Sequence, residues 1–386
     1  MNLINKESVH AQLKLDTVKT GCECSDSIDN KSLNTKDLPH WVIGSVDTAV
    51  GAICHVATEW QWSDYWGQIK SRASAFRMHY SVEPGLYAVG NPDKDSEVFV
   101  SANYKLSFDI LRRELGGTNA WILVLDTKGI NVWCAAGKGT FGTDELVKRI
   151  IKTRLSALVD HKRIIVPQLG APGVAADKVK RTTGFHVYYG PIRAADIQLY
   201  LQQKYQATAE MRTVRFSLFD RLVLTPIELN PAFKIFPVFA VIALFLFGLQ
   251  PSGIWFRDAW NGGLPILIFG VLTVISGAFL TPLLLPYIPV RSFAIKGWIV
   301  GMLVVFLSSQ FIDVLNISDI FLNIFCYLFF PIVSSYLALQ FTGATPFTNL
   351  SGVKKELRIG IPVYLSVGAI SIIVIIAYKI NEWGLV

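Results

Sequence analysis

One stretch of this 386-residue chain holds a thiol in surroundings that suit ligation: Asn131-Val132-Trp133-Cys134-Ala135-Ala136-Gly137-Lys138. Cys134 lies between an indole and a run of side chains with almost no bulk. Such a run lets a large, flat ligand approach the backbone, and a metal inside that ligand would bond the sulfur, because thiolate is a soft, strongly donating ligand. Nucleophilic catalysis is the other chemistry open to a thiol, and it needs a nearby base. The six histidines, at 10, 40, 55, 79, 161 and 186, fall in no protease or transferase motif. A buried, inert cysteine is the default for one thiol, so spacing alone leaves Cys134 open between core residue and ligand.

The stretch runs on into Gly137-Lys138-Gly139-Thr140-Phe141-Gly142, which fits the Gly-x-Gly-x-x-Gly pattern of a dinucleotide pyrophosphate cradle. The acid expected at the end of the following strand is missing, since that strand ends Ile165-Val166-Pro167-Gln168. A Walker loop is excluded because Lys138 is followed by glycine.

These residues need elements to hold them. The continuous apolar run 121–125, bounded by turn residues, reads as a central strand covered on both faces. It leads to the Cys134 stretch through Asp126-Thr127-Lys128-Gly129. A short strand between two turns is expected within 83–92, further strands at 97–102, 163–167 and 185–189, and helices at 60–78, 108–115, 144–158, 174–182 and 194–203. Alternating strands and helices predict an α/β, Rossmann-like domain with a mainly parallel sheet. Ligands of such sheets bind at the carboxyl ends of strands. That places four loops together: 103–105 with Asn103 and Tyr104, 131–138, 168–173 with Gly170 and Ala171, and 190–191 with Gly190.

Composition adds a second part. Hydrophobic residues make up 52% and charged residues only 17%, too apolar for an ordinary soluble chain. The excess follows residue 234, in five apolar segments at about 235–256, 264–288, 297–315, 320–341 and 360–380, each long enough to cross ~30 Å of hydrocarbon. The chain thus divides into a flexible N-terminal tail at 1–40, an α/β domain at 41–210, a basic connector at 211–234 and an all-α membrane domain at 235–386. No apolar signal segment is evident in the polar start of the chain. Arg291, Lys296, Lys354, Lys355 and Arg358 follow the second and fourth segments, while Arg257, Asp258, Asp313 and Asp319 follow the first and third. This bias predicts a soluble domain in the cytoplasm and a C-terminus outside. The spans hold no chain of acids or bases, so an anchor or docking platform is expected rather than a transport path.

The formal charge of +7 is uneven: residues 1–100 hold 9 Lys/Arg and 13 Asp/Glu, residues 101–234 hold 20 and 11. The basic excess fits a face near anionic lipid. It forms no run interleaved with aromatics, so nucleic acid is not an expected partner. The five cysteines, at 22, 24, 54, 134 and 326, imply no disulfide framework and fit a reducing compartment.

The octapeptide at 131–138 resembles the signature of the corrinoid protein of the bacterial and archaeal mercury-methylation pair. The stretches Val82-Glu83-Pro84-Gly85-Leu86-Tyr87-Ala88-Val89-Gly90, Ala102-Asn103-Tyr104-Lys105-Leu106-Ser107, Leu169-Gly170-Ala171-Pro172-Gly173-Val174-Ala175 and Tyr189-Gly190-Pro191 resemble the same family in the same order. So does the succession of a soluble domain and five membrane helices, over roughly residues 75–380. The α/β part is also similar, more distantly, to the large subunit of the corrinoid iron–sulfur protein. The Asp-x-His-x-x-Gly motif of corrinoid proteins with a histidine ligand is absent.

The resemblance implies a cobalamin-type corrinoid with Cys134 as lower axial ligand to cobalt, above a short cap helix at 131–138. Ala135, Ala136 and Gly137 would leave room for the ring, and Asn131 and Lys138 would hold the cap. It implies a corrinoid-dependent methyltransferase acting on Hg(II) in anaerobic metabolism. A ferredoxin-like protein with two [4Fe–4S] clusters is the implied electron donor and mercury carrier, and a protein of a folate-linked pathway the implied methyl donor. A membrane-tethered corrinoid carrier with another methyl acceptor, and a dinucleotide-dependent membrane reductase, are the rival readings.

Overall fold

The computed structural model describes residues 38–384. Cys22, Cys24 and the tail to residue 37 lie outside the described residues. The chain divides into two compact units, one comprising residues up to Gly67 with Met78–Arg212, the other Gln68–Arg77 with Thr213 onward.

The first unit is built on a seven-stranded sheet in the order β1-β2-β3-β5-β4-β6-β7. Its strands are β1 (Val42–Thr48), β2 (Gly51–Val56), β3 (Leu86–Val89), β4 (Glu97–Ala102), β5 (Ala120–Leu125), β6 (Arg163–Val166) and β7 (His186–Tyr189). Strands β5, β4, β6 and β7 run parallel, while the hairpin β1–β2 and the β3–β5 pair are antiparallel. The sheet is therefore mixed and mostly parallel, as expected. Residues 41–56, to which the sequence pattern assigned no element, form the hairpin at one edge.

Strand β5 is buried along its whole length. Trp121, Leu123 and Leu125 enter one core with Val98, Val100, Ile164 and Val166, and Ala120, Ile122 and Val124 enter the other with Phe99 and Ile165. This is why the 121–125 run is continuous rather than alternating: both faces are covered. The helices of this unit are α1 (Trp62–Ala73), which continues into the second unit, then α2 (Lys105–Glu114), α3 (Val132–Lys138), α4 (Thr143–Lys152), α5 (Ala176–Thr183) and α6 (Ile197–Gln202). Residues of α3, α4 and α5 pack into the first core, residues of α2 and α6 into the second.

The helix expected over 144–158 ends at Lys152. Arg154 takes a left-handed backbone (φ 48°), and a 3₁₀ turn, Leu155–Ala157, carries the apolar pattern on by burying Leu155. The helix expected over 60–78 likewise stops at Ala73 and is followed by a 3₁₀ turn, Ala75–Met78. Among the described cysteines Cys134 and Cys326 are free.

The second unit contains α7 (Leu218–Leu224), α8 (Pro226–Gly248), α9 (Phe256–Ile275), α10 (Thr281–Leu284), α11 (Phe293–Phe311), α12 (Ile320–Gln340) and α13 (Leu350–Glu382). The connector expected to run to residue 234 is helical from Leu218, because Ser217 and Asp220 close a reciprocal capping box there. Among the described residues five spans are long and apolar enough to cross a membrane: Leu218–Gly248, Phe256–Leu284, Phe293–Phe311, Ile320–Gly343 and Ser351–Glu382. This is a multi-pass membrane architecture. The helices approach closely where small residues meet, since a Cβ on Gly297 would fall 2.4 Å from that of Ala338. The Ser334 hydroxyl donates to the Gly297 carbonyl at 2.8 Å.

Candidate functional site

The parallel strands follow the order second, first, third, fourth in chain sequence. The point where this order reverses lies between β4 and β6. That is where ligands of open α/β sheets bind, outside the carboxyl ends of the strands. The β4–β6 ladder has a single registered pair, Phe99 with Ile165. A cavity of about 330 Å³ lies there, lined by Val100 and Ser101 of β4, Leu111 of α2, Pro167 after β6 and Gly190 after β7. Asn131, Val132 and Trp133 close it from the side of α3.

Helix α3 is short because its ends are fixed. The Asn131 side chain accepts from the Cys134 backbone N–H at 2.9 Å, and Gly139 ends the helix with a left-handed φ of 80°. Val132, Ala135 and Ala136 face inward, the i, i+3, i+4 set of one face. Trp133, Gly137 and Lys138 are exposed and Cys134 is half-buried. The thiol therefore stands on the outward side of the helix among Trp133, Gly137 and Lys138. Gly137 has no packing reason to be glycine: a Cβ there would meet nothing within 4 Å. Glycine in a helix costs about 0.5–1 kcal/mol relative to alanine, and nothing in the chain itself offsets it.

Gly142, Gly170 and Gly173, by contrast, do have packing reasons. A Cβ on Gly142 would fall 2.6 Å from the Gly139 carbonyl oxygen, one on Gly170 2.4 Å from the Phe141 ring, and one on Gly173 2.1 Å from the Phe141 carbonyl oxygen. Together they let the 3₁₀ turn Gln168–Gly173 lie against α3. The pyrophosphate reading weakens accordingly. Helix α3 follows strand β5 and includes Gly137, Gly139 is spent on ending that helix, and Gly142 on chain packing.

Asn103 is buried beneath the site, outside the cavity lining. Its side-chain oxygen accepts from Thr127 N–H at 3.0 Å, Thr127 hydroxyl at 2.8 Å and Gly129 N–H at 2.9 Å. It thereby fixes the turn that delivers α3 after β5. In the same turn Asp126 pairs with Lys128 at 2.7 Å. Burial works against the Asp126 carboxylate, but the hydrogen bonds from Lys128 outweigh it and hold its pKa below the usual value. Replacing Asn103 with alanine strands the buried Thr127 N–H and the half-buried Gly129 N–H, while the Thr127 hydroxyl keeps the Ile130 carbonyl as acceptor. The expected loss is about 1–3 kcal/mol, measured as lost hydrogen-exchange protection of the 125–132 amides in the full chain.

Tyr104 is half-buried and caps the start of α2. One side of that helix gives Ser107, Ile110 and Leu111 to the cavity. The other enters a buried charge network. Lys105 contacts Asp109 at 2.5 Å and Asp64 at 3.4 Å, and Arg112 contacts Asp109 at 2.7 Å and Asp64 at 2.9 Å. Burial and the nearby Asp109 push the Tyr80 phenol well up, so it remains a donor to Asp109.

Of the residues expected to form the site, Asn131, Val132, Trp133 and Gly190 line the cavity; Cys134, Gly137 and Lys138 lie on the outward side of the adjoining helix. Ala135 and Ala136 face inward from α3, Gly170 lies against the Phe141 ring, and Ala171 is half-buried in the 168–173 turn that packs on α3. The α2 residues of the cavity were not anticipated. Their signal is strand order, which a single sequence does not display.

Residues 75–201 match the family model of the CO dehydrogenase/acetyl-CoA synthase delta subunit. The chain is 30% identical over 131 residues to the acetyl-CoA decarbonylase/synthase complex subunit gamma of Archaeoglobus fulgidus, covering 33% of this chain and 27% of the relative. It is 32% identical over 131 residues to that subunit of Methanopyrus kandleri, covering 33% and 28%. It is 31% identical over 118 residues to the corrinoid/iron-sulfur protein large subunit of Moorella thermoacetica, covering 30% and 26%. The matched stretch thus spans about a quarter of each relative. The family match ends at residue 201, before the first of the apolar spans.

Proposed function

We propose that this protein is a membrane-anchored corrinoid-dependent methyltransferase that passes a methyl group to Hg(II), forming methylmercury. The observation that carries the reading is the position of Cys134: a free thiol on the outward side of a small-residue helix, beside the cavity at the sheet's switch point. The residues suit a corrinoid. The open space over Gly137 leaves room for a flat macrocycle, and thiolate is a ligand of fitting softness for its metal. When bound, the corrinoid supplies the cobalt that carries the methyl group.

The chain's own parts are then as follows. Cys134 would hold the metal of that group, and a thiolate there would supply the electron density that favours an electron-rich methyl. Mercury(II) is an electrophile, so ligand and acceptor match. Asn131 holds the Cys134 backbone and thereby aims the thiol. Lys138 and Trp133 flank it on the exposed side, while Asn103 and Tyr104 support the turns beneath. Gly170, Ala171 and Gly190 keep the neighbouring loops close. Turnover would draw electrons from a ferredoxin-like protein with two [4Fe–4S] clusters, which would also deliver mercury, and methyl groups from a protein of a folate-linked pathway. The distribution of Lys and Arg between the spans supports a cytoplasmic α/β unit, and five crossings then leave the C-terminus outside.

The test is cobalt content and visible absorption of protein purified, or reconstituted with cobalamin, without oxygen, followed by an Hg(II) methylation assay. Stoichiometric cobalt and methylmercury formation are expected. Cobalt without methylmercury, when electron donor and methyl donor are supplied, replaces mercury with another acceptor. Absence of bound corrinoid removes the reading. Gly137→Leu separates site from scaffold: stability is expected to hold, within about 0.5 kcal/mol as for an exposed substitution, while cobalamin uptake is lost. Uptake equal to that of the unaltered protein would mean the macrocycle does not lie on this face.

A further inference from the structure

Helix α1 is amphipathic in the reverse sense. Its buried positions are Asp64, Gly67 and Ser71, and its bulky apolar residues point outward. Trp62 is 82% exposed and Trp66 57%, with Tyr65 and Ile69 also exposed. These are positions i, i+3, i+4 and i+7, so they form one stripe along the helix. Asp64 is held inward by Arg112 and Lys105. Gly67 is small because Tyr80 lies against it; a Cβ there would fall 2.2 Å from the Tyr80 hydroxyl. The inner face is thus committed to charge pairing and close approach, and the stripe is left without a cover among the described residues.

Two further observations bear on what covers it. From Tyr65 to Val82 the sequence has Lys70, Arg72 and Arg77 and no acidic residue. The end of α1 is also tied to the first membrane span, where the Asn230 amide donates to the Ala73 carbonyl. Asn230 lies one turn before Lys234, the last charge before the uncharged run from Ile235 to Phe256. Ala73 is therefore at the level where the chain enters the bilayer. Tryptophan and tyrosine concentrate at that level, where an apolar ring with a polar edge fits, and basic residues there are drawn to anionic headgroups.

We propose that α1 lies in the membrane interface, with Trp62, Tyr65, Trp66 and Ile69 in the boundary between headgroups and acyl chains. This is independent of the corrinoid reading. It adds an interfacial contact to the five spans and occupies a stretch outside the matched family region, which begins at residue 75.

The experiment compares tryptophan emission of the full chain and a W62F/W66F variant in phosphatidylcholine–phosphatidylglycerol vesicles. Each is measured with and without lipids brominated near the headgroup end or near the terminal methyl of the chain. Phenylalanine keeps the apolar bulk, so the variant should fold. The difference between the two proteins isolates the two indoles. The expected result is difference emission quenched more by shallow than by deep bromines. Difference emission unaffected by either bromolipid overturns the proposal. So does emission that becomes bromine-insensitive together with a cross-linked dimer that the variant does not form, because a second copy then covers the stripe.

Discussion

Cys134→Ala is expected to leave the fold intact and abolish methyl transfer. The thiol is half-buried on the outward side of α3, and alanine is a better helix former than cysteine, so stability should change by no more than about 0.5 kcal/mol. Activity should fall on the order of a hundredfold or more, because even partners one shell away from a metal ligand are worth 10–100-fold. The visible spectrum of the reconstituted protein should change with it, since the ligand set alters. The pairing of outcomes is informative. A variant that binds cobalamin with an unchanged spectrum and transfers methyl at the ordinary rate would show that the sulfur is not a ligand. A variant that loses activity because it unfolds would register as lost hydrogen-exchange protection of the β5 amides, and would say nothing of chemistry.

The parts of the fold that were legible before the structure share a physical cause. Strand β5 was readable because full burial on both faces demands a continuous apolar run. The five membrane spans were readable because hydrocarbon tolerates no charge over their length. The cap helix was not readable from periodicity: α3 has seven residues, too few for a 3.6-residue pattern, and one is glycine. It was expected through family resemblance, and its caps, Asn131 and Gly139, became interpretable afterwards. Strand order was hidden because nothing local states that β4 sits between β5 and β6. The α2 lining of the cavity was hidden with it. Asn103 illustrates a further limit. A buried asparagine at the end of a strand suggests ligand contact as readily as support, and only three hydrogen bonds to the next turn assign it to support. Helix α1 was expected within 60–78, but not which way its faces point: its largest apolar residues face out because its aspartate must face in.

The largest expected effect on stability belongs to that buried charge network. Arg112 is fully buried. Its Nε donates to Asp109 at 2.7 Å, it pairs with Asp64 at 2.9 Å, and its remaining nitrogen donates to the Ala57 carbonyl at 2.5 Å. With Lys105 the group is balanced, two acids against two bases. Arg112→Met keeps most of the volume and leaves two carboxylates facing one ammonium. Removing one partner from a buried ion pair costs about 3–5 kcal/mol, and the variant should lose that much at neutral pH. The pH dependence carries the diagnosis. Burial raises the Asp64 pKa, but Arg112, the Gln61 N–H and Lys105 together bring it below its ordinary value. A depressed carboxylate stabilises the fold above the unfolded pKa, roughly 3.9, and that contribution is lost as pH falls through the folded value. Without Arg112 the largest lowering influence is gone, so Asp64 should be protonated in the folded variant at higher pH. The stability difference between the two proteins should therefore be greatest near neutrality and shrink as pH falls through the carboxylate range. Hydrogen exchange of the β4 and β5 amides in the full chain reads both quantities. A difference that stays constant from neutral pH into that range would place the cost of the substitution in packing rather than in charge.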